Sequence, residues 1–200
     1  VLIVGPNGAG KSSLIRVMTG LWKCSCGQIK IRSKMITDQE IYILPARTYL
    51  IPGLSVKQQL LYPDIDSVGS TNNISDEMII ELLNECGLGR LVEYIDDIND
   101  CRHIDEQFWC HLSAGEKQLI SLCRALLKCK ASNPVKLLFV DEALSNLSSE
   151  KIQWFYDKLS ELCITVVTIS HNINHIKQYH HRLLTLIGDD SGKYTVDKLE

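Results

Sequence analysis

The chain reads as an α/β protein, with a parallel sheet under helical cover and a helical insertion in the middle. Three observations predict this. An apolar run, Val1-Leu2-Ile3-Val4, enters a glycine-rich turn and then a helix-like segment. Between about 49 and 130 the pattern changes to helices joined by polar turns. Strand-like runs then return at 137–140 and 164–170, separated by another helical stretch. Strands that alternate with helices need crossover connections, and those connections pair strands in parallel.

Each element has a local reason. Residues 11–19 carry apolar positions at helical spacing and are closed by Gly20. Residues 28–32 and 41–44 are short strand candidates, the second ended by Pro45. The helical stretch contains a polar insert, DIDSVGSTNN, at 64–73 and a helix at 75–86 stopped by Gly87. In LSAGEKQ, Ser113 and Glu116 stand at capping-box spacing, so a helix should begin at Ser113. The apolar run LLFV predicts a buried strand at 137–140. A helix is expected over 149–162, with Ser149 as N-cap and Glu150 complementing the helix dipole. The final LLTLI, GDDSGK and YTV read as a hairpin.

Composition excludes several classes. Two hundred residues, 45% of them hydrophobic, suit one globular unit. The net charge is -3 and the basic residues are scattered, which argues against a nucleic-acid partner. No apolar run approaches the roughly 18 residues of a membrane span, and no signal peptide opens the chain. The chain starts on Val1, inside an expected core strand and without methionine, so it reads as a piece of something longer. The eight cysteines (Cys24, Cys26, Cys86, Cys101, Cys110, Cys123, Cys129 and Cys163) lack paired zinc-ligand spacing. They are read as reduced thiols. His171 and His175 stand four apart without an acidic third ligand nearby in sequence, which does not make a metal site.

Two segments carry chemistry. GPNGAGKSS, Gly5 to Ser13, matches the phosphate-loop pattern in the strand–turn–helix setting that it needs. Gly5, Gly8 and Gly10, with Pro6, Asn7 and Ala9 between them, let the backbone curl so that N–H groups face phosphate oxygens. The following helix adds the positive end of its dipole. Lys11 should reach the β- and γ-phosphates as a point charge, and the Ser12 hydroxyl should ligate magnesium. The ordinary alternative is a merely glycine-rich turn, and the strand ahead of it argues against that.

The second segment is LLFV followed by Asp141 and Glu142, two carboxylates at the C-terminal end of a strand, where ligands sit in open α/β sheets. Asp141 suits a direct or water-mediated magnesium contact. Glu142 suits a water attacking the γ-phosphorus, as general base or as positioner. The LSAGEKQ segment offers a further anion site at its helix start, although a well-capped helix explains it alone.

Taken together, GPNGAGKSS, LSAGEKQ, LLFVDE and Ser170-His171 occur in the order that resembles the ATP-binding cassette (ABC) of transporters. The similarity covers essentially the whole chain. The resemblance implies a P-loop NTPase (RecA-like) parallel sheet core, at 1–48 and 134–200, with a helical subdomain at 49–133 carrying the signature. It implies ATP with magnesium as the cofactors, Ser113, Gly115 and Glu116 closing on the ATP of a second cassette, and His171 contacting the γ-phosphate. The tract LYP at 61–63, GLW at 20–22 and the ending HHRLLTLIGDDSGKYTVDKLE are similar to subfamily D. That subfamily holds peroxisomal half-transporters of fatty acyl-CoA and a lysosomal member linked to cobalamin. The stretch ISDEMIIELLNECGLGRLVEY looks closer to the latter, GPNG closer to the peroxisomal members.

The chain also departs from the family. Ala46 stands in ILPARTY, where the family's Q-loop glutamine is expected, and a methyl group neither ligates magnesium nor holds water. Gln58 and Gln59 downstream fall in a helix-like segment. Ala114 replaces the usual first glycine of the signature, and Leu119 stands where an arginine usually follows. SNLS at 145–148 lacks the common aspartate. The aromatic that stacks on adenine would precede Val1.

The favoured reading is the ATPase engine of a half-transporter that acts as a homo- or heterodimer. It would be joined to a transmembrane domain in the same longer chain and would face the cytosol from an organelle membrane, the peroxisomal one favoured and a lysosomal or ER membrane the alternative. The alternative is a catalytically weakened, nucleotide-gated regulatory subunit, motivated by Ala46 and Ala114. A soluble DNA-repair or translation cassette would show coiled-coil heptads or a second cassette, and neither is present.

Overall fold

The computed structural model describes residues 1–29, 40–64, 74–93, 98–99, 106–171, 173–189 and 192–199. It divides into two compact units. The first comprises Val1–Ala46, Lys136–Ser145 and Ile164–Glu200; the second comprises Arg47–Val135 and Asn146–Cys163. The segment at 146–163, placed with the sheet in the sequence reading, therefore groups with the helices.

The first unit is a six-stranded sheet. Its strands are β1 (Leu2–Val4), β2 (Ile41–Leu44), β3 (Leu137–Asp141), β4 (Thr165–Ile169), β5 (Arg182–Leu186) and β6 (Tyr194–Lys198). They lie in the order β2-β3-β4-β1-β5-β6. The first five are mutually parallel, and β5 and β6 form the antiparallel hairpin. The run LIV of β1 is wholly buried because parallel strands at the centre of a sheet are covered on both faces. Helix α1 (Lys11–Met18) lies on the sheet, and Ile15 packs among Ile3, Phe139, Val167 and Ile169. Of the strand expected at 28–32, Gln28 and Ile29 carry no strand, and 30–32 lie outside the described residues. Most of the polar insert lies outside them too, as does Cys101.

The second unit is helical: α2 (Val56–Leu61), α3 (Asp76–Cys86), α4 (Gly89–Glu93), α5 (Glu106–Cys110), α6 (Ala114–Lys130) and α7 (Ser149–Glu161). Helix α6 is its centre, with Ile120, Leu122, Cys123, Ala125, Leu126 and Leu127 at or below 1% exposure. The buried Arg124 lies among these apolar side chains and finds three acceptors. Its guanidinium donates to Gln59 O and Tyr49 O, each at 2.6 Å, and to Gln59 Oε1 at 2.5 Å. Gln59 in turn bonds both backbone groups of Ile51. A charge taken from water needs such partners, and here they tie the chain after β2 to α2 and α6.

Four helices begin on a serine whose hydroxyl accepts a first-turn N–H: Ser55, Ser75, Ser113 and Ser148. The last corrects the sequence expectation. Ser148, with extended backbone, caps α7, and Ser149 is its first helical residue. A cap must have non-helical φ and ψ, and that condition falls one residue earlier than side-chain type alone suggested. Gly87 ends α3 in the left-handed conformation, as expected.

Candidate functional site

Helix α1 starts differently from these four. Its N-cap is Gly10, left-handed at φ 88°, and no side chain bonds its first turn. The amides of Lys11, Ser12 and Ser13 have no intrahelical acceptors, so this helix end faces outward as a set of donors. Gly5 is required for a second reason. A Cβ there would lie 2.6 Å from the carbonyl oxygen of Leu186 in β5, closer than real carbon atoms approach. The hairpin turn presses on the loop at Gly188, where an added Cβ would meet Pro6 at 2.5 Å. The loop from Gly5 to Ser13 is thus pinned between β1, α1 and the hairpin. Beside it opens a cavity of about 640 Å³, walled by Gly8, Gly10, Ser13, Val17, Leu186 and Tyr194 among others.

Lys11 is buried, at 6% exposure, and its Nζ donates to the carbonyls of Gly5 and Pro6, both at 2.9 Å. The ammonium is therefore curled inside its own loop, held at the centre of the curve. The next residue reaches across the sheet: Ser12 Oγ donates to Asp141 Oδ1 at 2.9 Å. The strand order makes this possible. β1 and β3 flank β4, so their C-terminal ends open on the same edge, the usual ligand edge of a parallel sheet.

Glu142, one residue past β3, has φ 55°. A left-handed backbone costs a non-glycine residue roughly 1 kcal/mol. Its N–H still bonds Ile169 O at 3.1 Å, and its Oε1 lies 2.8 Å from His171 Nε2. The ends of β3 and β4 so present a carboxylate and an imidazole as a bonded pair. Gly5 to Ser13, Asp141, Glu142 and His171 all belong to the sheet unit, and the sheet gathers them at one edge. Among the described residues no cluster of three or more metal-ligating side chains occurs, His171 and His175 included.

Ser113, Gly115 and Glu116 form a local array in the helical unit. Ser113 Oγ accepts Glu116 N–H at 3.2 Å, while Glu116 Oε2 accepts Ser113 N–H at 2.9 Å and Ser113 O–H at 2.8 Å. The Glu116 carboxyl is held below its ordinary range: burial opposes this, but the Ser113 bonds and the Arg90 guanidinium outweigh it. A Cβ on Gly115 would lie 3.1 Å from Asn146 O, and Gln118 Oε1 accepts Asn146 N–H at 3.0 Å. Glycine at 115 thus lets the loop before α7 approach the first turn of α6. The roles of Arg90, Gln118 and Arg124 were not read in sequence, because each acts on a partner 26 or more positions away with no spacing rule to expose it. Gln58 and Gln59 are both engaged: Gln58 completes the capping box of α2, and Gln59 is the buried partner of Arg124.

The family model described as ABC transporter matches residues 1–145. The chain belongs to the ABC transporter family. It is an ATP-binding cassette of that family, and relatives carrying the D-family name match nearly all of it. ABC transporter D family member 3 of Dictyostelium discoideum is 30% identical over 190 residues, covering 92% of this chain and 23% of its own. The lysosomal cobalamin transporter ABCD4 of Mus musculus is 29% identical, covering all of this chain and 31% of its own. The cassette therefore spans 23% and 31% of the lengths of these two curated relatives. A bacterial Atm1-family ABC exporter solved with ATP bound superposes with a TM-score of 0.70 at 20% identity. That alignment covers 94% of this chain and 32% of the exporter chain, and it shows that the two share the α/β fold. No helix among the described residues is long and apolar enough to cross a membrane.

Proposed function

We propose that this cassette binds and hydrolyses ATP for a D-family half-transporter. The observation that carries the reading is the convergence, at one sheet edge, of an uncapped helix start, the Ser12–Asp141 contact and the Glu142–His171 pair. Phosphate oxygens compete with the carbonyls of Gly5 and Pro6 for the Lys11 ammonium, while the α1 amides take the remaining anionic oxygens. Two hard oxygen donors within hydrogen-bond reach suit magnesium, which Ser12 and Asp141 would hold and which would neutralise charge developing on the phosphates. Glu142 orients the attacking water and accepts its proton. His171 holds that carboxylate in place and offers an N–H to the γ-phosphate side. The cavity beside Ser13 gives the nucleoside room.

In the same reading a second cassette supplies Ser113, Gly115 and Glu116 to the ATP held here, and a transmembrane domain uses the closure. The cargo is an acyl-CoA, another lipid-like molecule or a cobalamin, moved across a peroxisomal or lysosomal membrane with the cassette on the cytosolic face. Lys11→Ala tests the core of this: magnesium-dependent ATP binding should be abolished, and undiminished binding would defeat the assignment.

One observation favours a slower engine. The two glutamines downstream of Ala46 are occupied in the capping box and the Arg124 network, which supports the reading that neither stands in for the Q-loop side chain. In a weakened cassette, Glu142→Gln would leave turnover almost unaltered and Ala46→Gln would raise it. In a working engine, Glu142→Gln stops turnover and traps the ATP dimer.

A further inference from the structure

Glu116 presents an electrostatic problem. It places a carboxylate at the N-terminus of α6, the end that the proposed function asks to meet a polyphosphate. That carboxylate takes both the N–H and the O–H of Ser113. An approaching γ-phosphate therefore meets a like charge and a hydroxyl already committed. Its second oxygen, Oε1, is bonded to the Arg90 guanidinium of α4. The Arg90 side chain is 58% exposed against 23% for Glu116, so the arginine is the solvent-facing member of the pair. Arg90 also walls a cavity of about 250 Å³ with Leu91, Phe108, His111 and Leu112, directly ahead of Ser113. Its free edge is thus open to a ligand arriving at the start of α6.

We infer that Arg90 is a positioning residue of the signature: it neutralises the Glu116 carboxylate that bonds Ser113, so that the start of α6 meets the ATP of a second cassette without a like charge facing it. This rests on the reading that the signature closes on nucleotide. Without Arg90, the Glu116 charge faces the phosphate unscreened, and like-charge contact across an interface opposes association. With glutamine at 116, the capping box survives, because a glutamine side chain also accepts the N-cap N–H, and the charge that Arg90 answers is gone.

The test is a charge-compensation cycle in the full-length chain, with Glu142→Gln present throughout to hold ATP dimers. Magnesium-ATP binding and ATP-dependent dimer formation are measured first in that parent; failure of either defeats the proposed function and not the role of Arg90. Given both, Arg90→Ala should weaken ATP-dependent association about tenfold. Adding Glu116→Gln to Arg90→Ala should restore most of the loss, and Arg90→Lys should retain most of the association. Unchanged association in Arg90→Ala would overturn the inference. So would a loss that Glu116→Gln does not relieve, since that pattern marks a residue serving only the fold of α4 and α6.

Discussion

Ser12 Oγ donates to Asp141 Oδ1 across 2.9 Å, joining residues 129 positions apart. The contact puts the glycine-rich loop and the acidic strand end at hydrogen-bond distance, as the proposed magnesium–ATP site requires. It exists because β1 and β3 end on the same edge of a parallel sheet.

Ser12→Ala and Asp141→Asn should each remove the magnesium dependence of ATP binding and leave the fold intact. Titration calorimetry with magnesium, then with a chelator, reads this. The wild-type affinity should fall when the metal is removed, whereas both variants should bind weakly in either condition. A variant that keeps a full magnesium response would place the metal elsewhere.

Ser148 and Ser149 differ by one position and by their expected energetics. Ser148→Ala removes the cap of α7 and should cost about 1 kcal/mol, while Ser149→Ala leaves that cap in place and should cost less. Paired denaturant titrations compare them. Equal losses would mean that the cap is not confined to Ser148.

Arg124→Ala should be among the most damaging changes outside the sheet. It removes the guanidinium that Gln59 O, Tyr49 O and Gln59 Oε1 share, and Gln59 Oε1 keeps the Ile51 N–H. Roughly 3 kcal/mol is expected, or a Tm lower by roughly 5–10 °C. Arg124→Lys should recover little, because one ammonium does not span three acceptors held in a fork. Thermal unfolding with and without ATP checks this.

Cysteine reactivity should follow burial. At pH 8, iodoacetamide should modify the exposed Cys24, Cys26, Cys110 and Cys163 quickly and spare Cys86, Cys123 and Cys129. Burial pushes the Cys129 thiol up to about 12, so its nucleophilic thiolate forms only as pH rises toward that value. The contact with Cys86, then burial, raises Cys123 as well. Peptide mass spectrometry reads the pattern, and rapid native labelling of Cys129 would contradict the packing of α6.

Much of the sheet and of the site was legible in residues because short-range rules govern those parts. The run LIV before a glycine turn, LLFV before two carboxylates, and the Ser113-to-Glu116 spacing each state their own geometry, and the described strands and helices follow them. The α7 cap falls at Ser148 and not at the expected Ser149; serines at the two positions are equivalent as side chains. Only backbone conformation distinguishes them.

By itself, then, the sequence determined that a glycine-rich turn joins the first strand to a helix, that acids end a buried strand, and that a helix capped at Ser113 lies in the central helical insertion. These depend on neighbours a few positions apart. Tertiary structure alone decided that Asp141 meets Ser12, that Glu142 pairs with His171, that Arg124 secures Gln59, and that Arg90 answers the charge of Glu116. Those pairings join distant positions through strand order and helix packing, which no local spacing records.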